Sequence, residues 1–240
     1  MEPTNACFDE PESTDFEYGE IDFGSTAEIT DIKFLPKTIF NQGAESVTGM
    51  ACSRYGMAHI VNAQNLYVSE VTGIGFTEYD PKPYWMEYIK SNPDALKNGA
   101  TLQSALSQFK SNGLITGYAV ANTVELMKSA INKGHLIYTG SLRGNWKLPN
   151  RIYSEATDNR TIGHCFPIVG YNAEYWIAVN SYGQNNGLFY IPYSLTNTLF
   201  TRYAVIDAKD EDAILSYKKH IMQEISIEDA KKALEENLWN

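Results

Sequence analysis

The rhythm of apolar positions divides the chain. Residues 1–30 carry few aliphatic side chains among Asp, Glu, Ser, Thr and Gly, a pattern that predicts an extended arm. From Asp31 apolar residues become frequent. Tyr55, Ala58 or His59, and Val61 or Ala63 recur at helical spacing, which predicts a helix over 52–65. A short helix follows over 83–90, with Pro83 suited to a first helical position. A third helix begins after Ala100-Thr101, covers 102–109 and stops near Gly113. A fourth runs over 124–133, capped by Thr123 and ended by Gly134. The pattern then turns β-rich. Residues 136–139 read as a strand, and Ser141 to Ile162 as a long polar connection. Strands follow at 164–171, 174–181, 187–191 and 202–207. After Ala208 the chain becomes charged and helical, with Ser226-Ile227-Glu228-Asp229 as a capping box for 230–238.

Helices first and strands second is an α+β order. The expected organisation is an arm over 1–30, a domain over 31–208 and a charged helical tail over 209–240. Within the domain the helical part covers about 44–133 and the β part about 134–208.

Composition narrows the function. The chain has 240 residues and a net charge of −10, which argues against nucleic acid as the main partner. No apolar run reaches the roughly 18–20 residues of a membrane span. The acidic N-terminus lacks a basic region followed by an apolar one, so no secretory signal is read there. A cytoplasmic or virion-associated setting is therefore expected over classical secretion. The three cysteines, Cys7, Cys52 and Cys165, are a poor disulfide framework. They fit a reducing compartment or a thiol kept free for chemistry. His59, His135 and His220 have no metal-ligand spacing and read as structural or surface residues, so neither a metal nor an organic cofactor is expected. Cys165 reads as a packing residue, Cys7 as incidental, and Glu45 and Glu174 as solvated.

One constellation carries chemistry. Gly163 to Tyr171 and Glu174 to Gly183 form two β-rich runs joined around Asn172-Ala173. His164 opens the first run and Asn180 closes the second. A hairpin brings these positions to one end, where an amide oxygen can accept an imidazole N–H and fix the ring. Cys52 opens a predicted helix, where the helix dipole and a nearby imidazolium both favour a thiolate. Gln42, in Asn41-Gln42-Gly43, is a candidate oxyanion donor, although this tripeptide is also a good turn sequence.

Gly163-His164-Cys165-Phe166-Pro167-Ile168-Val169-Gly170-Tyr171 and Tyr175-Trp176 through Asn180-Ser181-Tyr182-Gly183 resemble the His and Asn segments of papain-like cysteine peptidases. That family reads G-H-A-x-x-I-V-G-Y and Y-W-x-x-x-N-S-W-G. Leu35-Pro36 with Asn41-Gln42-Gly43 is similar to the start of its mature domain, so the likeness spans roughly residues 35–207. It implies a two-lobed fold, with a helical N-terminal lobe and an antiparallel β-barrel-like C-terminal lobe. It also implies hydrolysis of peptide or isopeptide bonds in a peptide or protein substrate, through a thioester. Carried over by position, Cys52 is the nucleophile, His164 the base and then the acid, and Asn180 the orienter of His164. Gln42 donates to the oxyanion together with the Cys52 N–H. Tyr182 stands where the family has Trp, and inherits its shielding and substrate-lining position. His164 follows Cys52 by about 110 residues and Asn180 by about 130, shorter than the roughly 130–150 usual in the family.

The nucleophile segment departs from the pattern. The family has four residues between its Q-G pair and the cysteine, whereas Ala44 to Ala51 intervene here. Ungapped alignment puts Thr48 at the nucleophile position, and a short insertion puts Cys52 there. Cys52 keeps an aromatic, Tyr55, at the third place after it, which favours the insertion. Three readings stay open on the sequence. The first is a peptidase, similar in its economy to prokaryotic or phage members. The second is an inactive module of the same fold in a larger phage or cell-surface assembly, tied through the arm or tail. The third is another Cys-before-His thiol hydrolase, such as a cell-wall amidopeptidase or a transglutaminase-like enzyme.

Overall fold

The structure, a computed structural model, describes residues 16–17, 34–73, 75–142, 151–154, 163–183 and 187–207. The tail over 209–240, with its capping box, lies outside the described residues, as do most of the arm and of the 141–162 connection.

Among the described residues there are five helices, α1 (Cys52–Thr72), α2 (Pro81–Ser91), α3 (Ala95–Asn98), α4 (Leu102–Ser111) and α5 (Val124–Asn132); α1 and α4 pack on one face of the sheet and α5 on the other. Their starts follow from local chemistry. The Asp80 side chain accepts from Lys82 N–H at 2.9 Å, with Pro81 opening α2. Thr101 and Thr123 cap α4 and α5 by accepting from Ser104 N–H and Leu126 N–H. α1 lies centrally, and its residues 52–65 are almost all buried, polar ones included. Those polar groups tie neighbouring segments to the helix. Asn62 exchanges two hydrogen bonds with the backbone of Tyr79, and Gln64 Nε2 donates to Gly134 O and Val205 O. A helix buried all round shows little amphipathic contrast, so its pattern fades before its true end at Thr72.

The strands are β1 (Phe16–Glu17), β2 (Ile115–Val120), β3 (Ile137–Ser141), β4 (His164–Tyr171), β5 (Tyr175–Val179), β6 (Leu188–Pro192) and β7 (Tyr203–Asp207). They make one sheet in the order β1-β2-β7-β3-β4-β5-β6. Strands β2 to β7 pair antiparallel, and the two-residue β1 joins β2 in parallel.

The sheet corrects the expected barrel-like C-terminal lobe: it is open. Closure would require the outer edges of the sheet to pair with each other. Instead, the edge of β6 exchanges hydrogen bonds with the segment 151–153: Tyr153 N–H donates to Tyr190 O at 2.7 Å, and Tyr190 N–H to Arg151 O at 2.8 Å. At the other end, β2 is covered by Phe16–Glu17. The backbone groups that closure would use already have partners.

Two glycines set how closely neighbouring segments approach. A Cβ on Gly140 in β3 would lie 2.4 Å from His164 O, so a side chain there would push β4 away. A Cβ on Gly56 would lie 3.1 Å from Tyr138 and 3.6 Å from the backbone of Cys165 and Phe166, so α1 rests directly on β3 and β4 at its second turn. Residues of α1, α4 and five of the strands share one apolar core. Among the described residues no helix is long and apolar enough to cross a membrane.

Candidate active site

The contact at Gly56 fixes the site. One helical turn before it stands Cys52, and one residue before Cys165 stands His164. The first turn of α1 thus brings Cys52 beside His164 at the start of β4. Cys52 is the first residue of α1, among the leading amides that have no intrahelical acceptor. No side chain caps this end.

His164 is 3% exposed, and its Nε2 lies 2.8 Å from Asn180 Oδ1. The tautomer follows from the second bond to that oxygen. Ser181 N–H donates to Asn180 Oδ1 at 2.9 Å, so the oxygen is an acceptor and His164 Nε2 carries the proton. Nδ1 is left as the basic nitrogen for Cys52. Tyr182 covers the pair, its ring stacked on His164 with centroids 5.2 Å apart and planes 7° from parallel.

Gln42 is held from both sides. Its backbone N–H donates to Ser181 O at 2.9 Å, and its side-chain Oε1 accepts from Ser181 Oγ. Its Nε2 donates to Gly49 O at 2.9 Å. An amide nitrogen carries two protons, so a second donor can serve an oxyanion, alongside the N–H of Cys52. Asn41 pairs with Tyr182 in an isolated bridge, which ties the oxyanion turn to the Asn180 segment.

The insertion is built as two 3-10 turns, Gln42–Ala44 and Ser46–Thr48. Thr48 lies in the second turn, with its hydroxyl donating to Gln42 O at 2.6 Å and Glu45 O at 3.0 Å. It is a brace for the turn, and Cys52 takes the helix start. Trp85 Nε1 clamps the insertion by donating to Val47 O, and Lys82 pairs with Glu45 at 2.6 Å.

Other expectations resolve as follows. Cys165 packs in the core and forms no disulfide. His59 is fully buried: its Nε2 accepts from Phe40 N–H at 3.0 Å, and its ring stacks on Phe40. Burial pushes it down to about 3, so it is neutral and holds the chain leading into Gln42. Arg54, fully buried two residues after Cys52, was not singled out by the sequence reading. Its signal was faint: an arginine at an otherwise buried position of a helix.

With this geometry, the comparison with solved structures has a definite meaning. Xylellain, a cysteine protease from Xylella fastidiosa, superposes with a TM-score of 0.61 at 13% identity, covering 85% of this chain and 96% of that one. The chain has a papain-like cysteine-protease fold. A second likeness is to the cysteine protease and lectin-like domains of Cwp84, a surface layer associated protein of Clostridium difficile. It has a TM-score of 0.48 at 14% identity, covering 77% of this chain and 53% of that one. No family model matches the chain, and no curated protein sequence does. On this papain-like fold, Cys52, His164 and Asn180 form a Cys-His-Asn triad with Gln42 at the oxyanion side.

Proposed function

We propose that this protein is a cysteine peptidase acting on peptide or isopeptide bonds. The bond from His164 Nε2–H to Asn180 Oδ1, at the mouth of a helix opened by Cys52, carries the reading. Cys52 Sγ attacks the carbonyl carbon as a thiolate, and the carbonyl oxygen takes the negative charge. Gln42 Nε2 and the Cys52 N–H stabilise that oxyanion. His164 gives its Nδ1 proton to the leaving amine, and the carbon–nitrogen bond breaks to leave a Cys52 thioester. His164 then takes a proton from water, hydroxide attacks the thioester, and the acid departs as Cys52 is released.

The inactive-module reading drew on the displaced spacing, the replaced Trp residues and the charged tail, and Thr48 facing His164 would decide for it. The Thr48 hydroxyl is engaged with Gln42 O and Glu45 O instead. In our reading Tyr182 also lines the substrate cleft. A reducing setting is supported by the three sparse cysteines, and any tie to a larger assembly falls to the arm and tail.

The test is thiol labelling at about pH 5.5, where an ordinary thiol of pKa near 8.5 is almost wholly protonated. Iodoacetamide should modify Cys52 fast, and labelling should abolish cleavage of an unfolded protein substrate. Cys52→Ala and His164→Ala should both be inactive. Slow labelling of Cys52, at the rate of a free thiol, would sink the reading.

A further inference from the structure

The segment that carries Gln42 is docked on α1 through a histidine. Cys52, Tyr55 and His59 stand at i, i+3 and i+7, one stripe along the helix that opens with the nucleophile. Phe40 lies across the inner part of that stripe. Its ring meets Tyr55 edge-on, with centroids 6.5 Å apart, and stacks on His59 at 5.9 Å, with planes 17° from parallel. Its backbone N–H donates to His59 Nε2 at 3.0 Å. From Phe40 the chain runs antiparallel to the segment that follows Asn180. Gly183 N–H donates to Phe40 O at 3.3 Å, Asn41 bridges Tyr182, and Gln42 N–H donates to Ser181 O at 2.9 Å. Those bonds register Gln42 against Asn180 and Tyr182. The bond from Phe40 to His59 registers the same strand against the helix of Cys52.

Packing alone does not account for a histidine at this position. The side chain is fully buried, and among the described residues its Nδ1 meets no hydrogen-bond partner. With Nε2 accepting, the proton of the neutral ring sits on Nδ1, so a donor is left unsatisfied in the core. A leucine would avoid that orphan and forgo the Phe40 bond. On stability the histidine gains little, since one bond is made and one donor is stranded. What the imidazole adds is direction. It offers an acceptor at a fixed height on α1, about 10 Å along the axis from Cys52. Burial pushes its pKa down to about 3, so the ring keeps that acceptor at neutral pH.

We propose that His59 is a positioning residue for the oxyanion donor: by anchoring Phe40 on α1, it sets how the Gln42 amide stands relative to Cys52. The proposal rests on the peptidase reading. Oxyanion stabilisation is steep in geometry, because the donor must reach the place the oxygen occupies in the tetrahedral intermediate. Gln42 follows Phe40 by only two residues, so a slip at Phe40 is carried to the donor. Alkylation of Cys52 by iodoacetamide is different: sulfur attacks a saturated carbon, iodide leaves, and no oxyanion forms. His59 therefore acts on acyl transfer and not on the nucleophile itself.

The experiment is steady-state cleavage of dye-labelled unfolded casein by the full chain, beside iodoacetamide labelling of Cys52, with thermal unfolding as the control for folding. His59→Leu should lower kcat about tenfold, with KM and the Cys52 labelling rate each within about twofold of wild type. His59→Gln, which keeps an acceptor for Phe40 N–H, should hold kcat within about threefold. In a Gln42→Ala background, His59→Leu should change kcat by less than about twofold, because the group it positions is gone. A folded His59→Leu with wild-type kcat, or the same loss with and without Gln42, overturns the proposal and leaves His59 a packing residue. So does a loss of Cys52 labelling that matches the loss of kcat. If His59→Leu does not fold, His59→Met fills the space without a ring nitrogen and replaces it in every comparison. If neither folds, His59→Gln decides: kcat within about threefold supports the proposal, and a loss of about tenfold overturns it. Failure of the parent reading looks different: cleavage would then survive Cys52→Ala, or wild-type Cys52 would label no faster than a free thiol.

Discussion

At the scale of single residues, the site depends on side chains whose alternatives are blocked. Asn180 Oδ1 is committed as an acceptor by Ser181 N–H, and this dictates where the His164 proton sits. His59 shows the same logic away from the chemistry. Its folded pKa of about 3 lies below the value of about 6.5 expected when unfolded. Between these values the unfolded chain binds a proton that the folded chain refuses. The stability linked to this group is therefore full above about pH 6.5 and is lost as pH falls toward 3, at about 1.4 kcal/mol per pH unit. His59→Gln keeps an acceptor for Phe40 N–H and does not titrate. We expect it to lose about 1–2 kcal/mol at neutral pH, yet to show a flatter decline in acid. Urea midpoints between about pH 4 and 7 would measure this. An unchanged slope would mean that another group controls the acid limb.

At the scale of elements, the insertion between Gln42 and Cys52 decides whether the chain can be an enzyme. Its two turns absorb the extra residues, so that α1 still starts at the cysteine. The Thr48 hydroxyl holds the turn to the Gln42 carbonyl, and the Gly49 carbonyl holds the Gln42 amide. Thr48→Val removes a buried donor while nearly keeping shape. It should cost about 1–3 kcal/mol, because the carbonyls it served stay buried. The loss should lower kcat more than it raises KM, since a displaced Gln42 would fail the oxyanion and not the bound ground state. Thermal unfolding and steady-state kinetics on one preparation would check both. A stability loss with unchanged kcat would place Gln42 outside the reaction.

At the scale of the molecule, α1, α4 and the sheet share a core. α1 contributes Met57, Ile60 and Val61 to the cluster that also holds Tyr138, Val169 and Val205. This cluster runs through α1, α4 and five strands, so helices and sheet should unfold together. Far-UV circular dichroism and tryptophan fluorescence should give coincident urea transitions. Trp85 packs on the helical side and Trp176 on the sheet side, so separate midpoints would reveal lobes that melt independently.

Much of this was legible in the chain. The helix of residues 102–109, the Thr123 start and the hairpin from His164 to Val179 follow from caps, turn residues and β-rich runs, which act over a few neighbouring residues. The triad was legible because its members sit in short motifs. Other features were not. β2 is interrupted by Gly117 and stands between helices; it exists as a strand because β7, more than eighty residues later, pairs with it. The buried roles of Arg54 and His59 depend on α4 and on residue 40 folding back over α1. The open sheet was decided by which segments pair with its edges. Sequence by itself determined the local elements and the order of the reacting groups, because those follow from short-range chemistry. Only the tertiary structure decided that Cys52 and not Thr48 meets His164, that the sheet stays open, and that the Arg54 guanidinium is buried against α4. Each of these depends on packing between segments far apart in the chain.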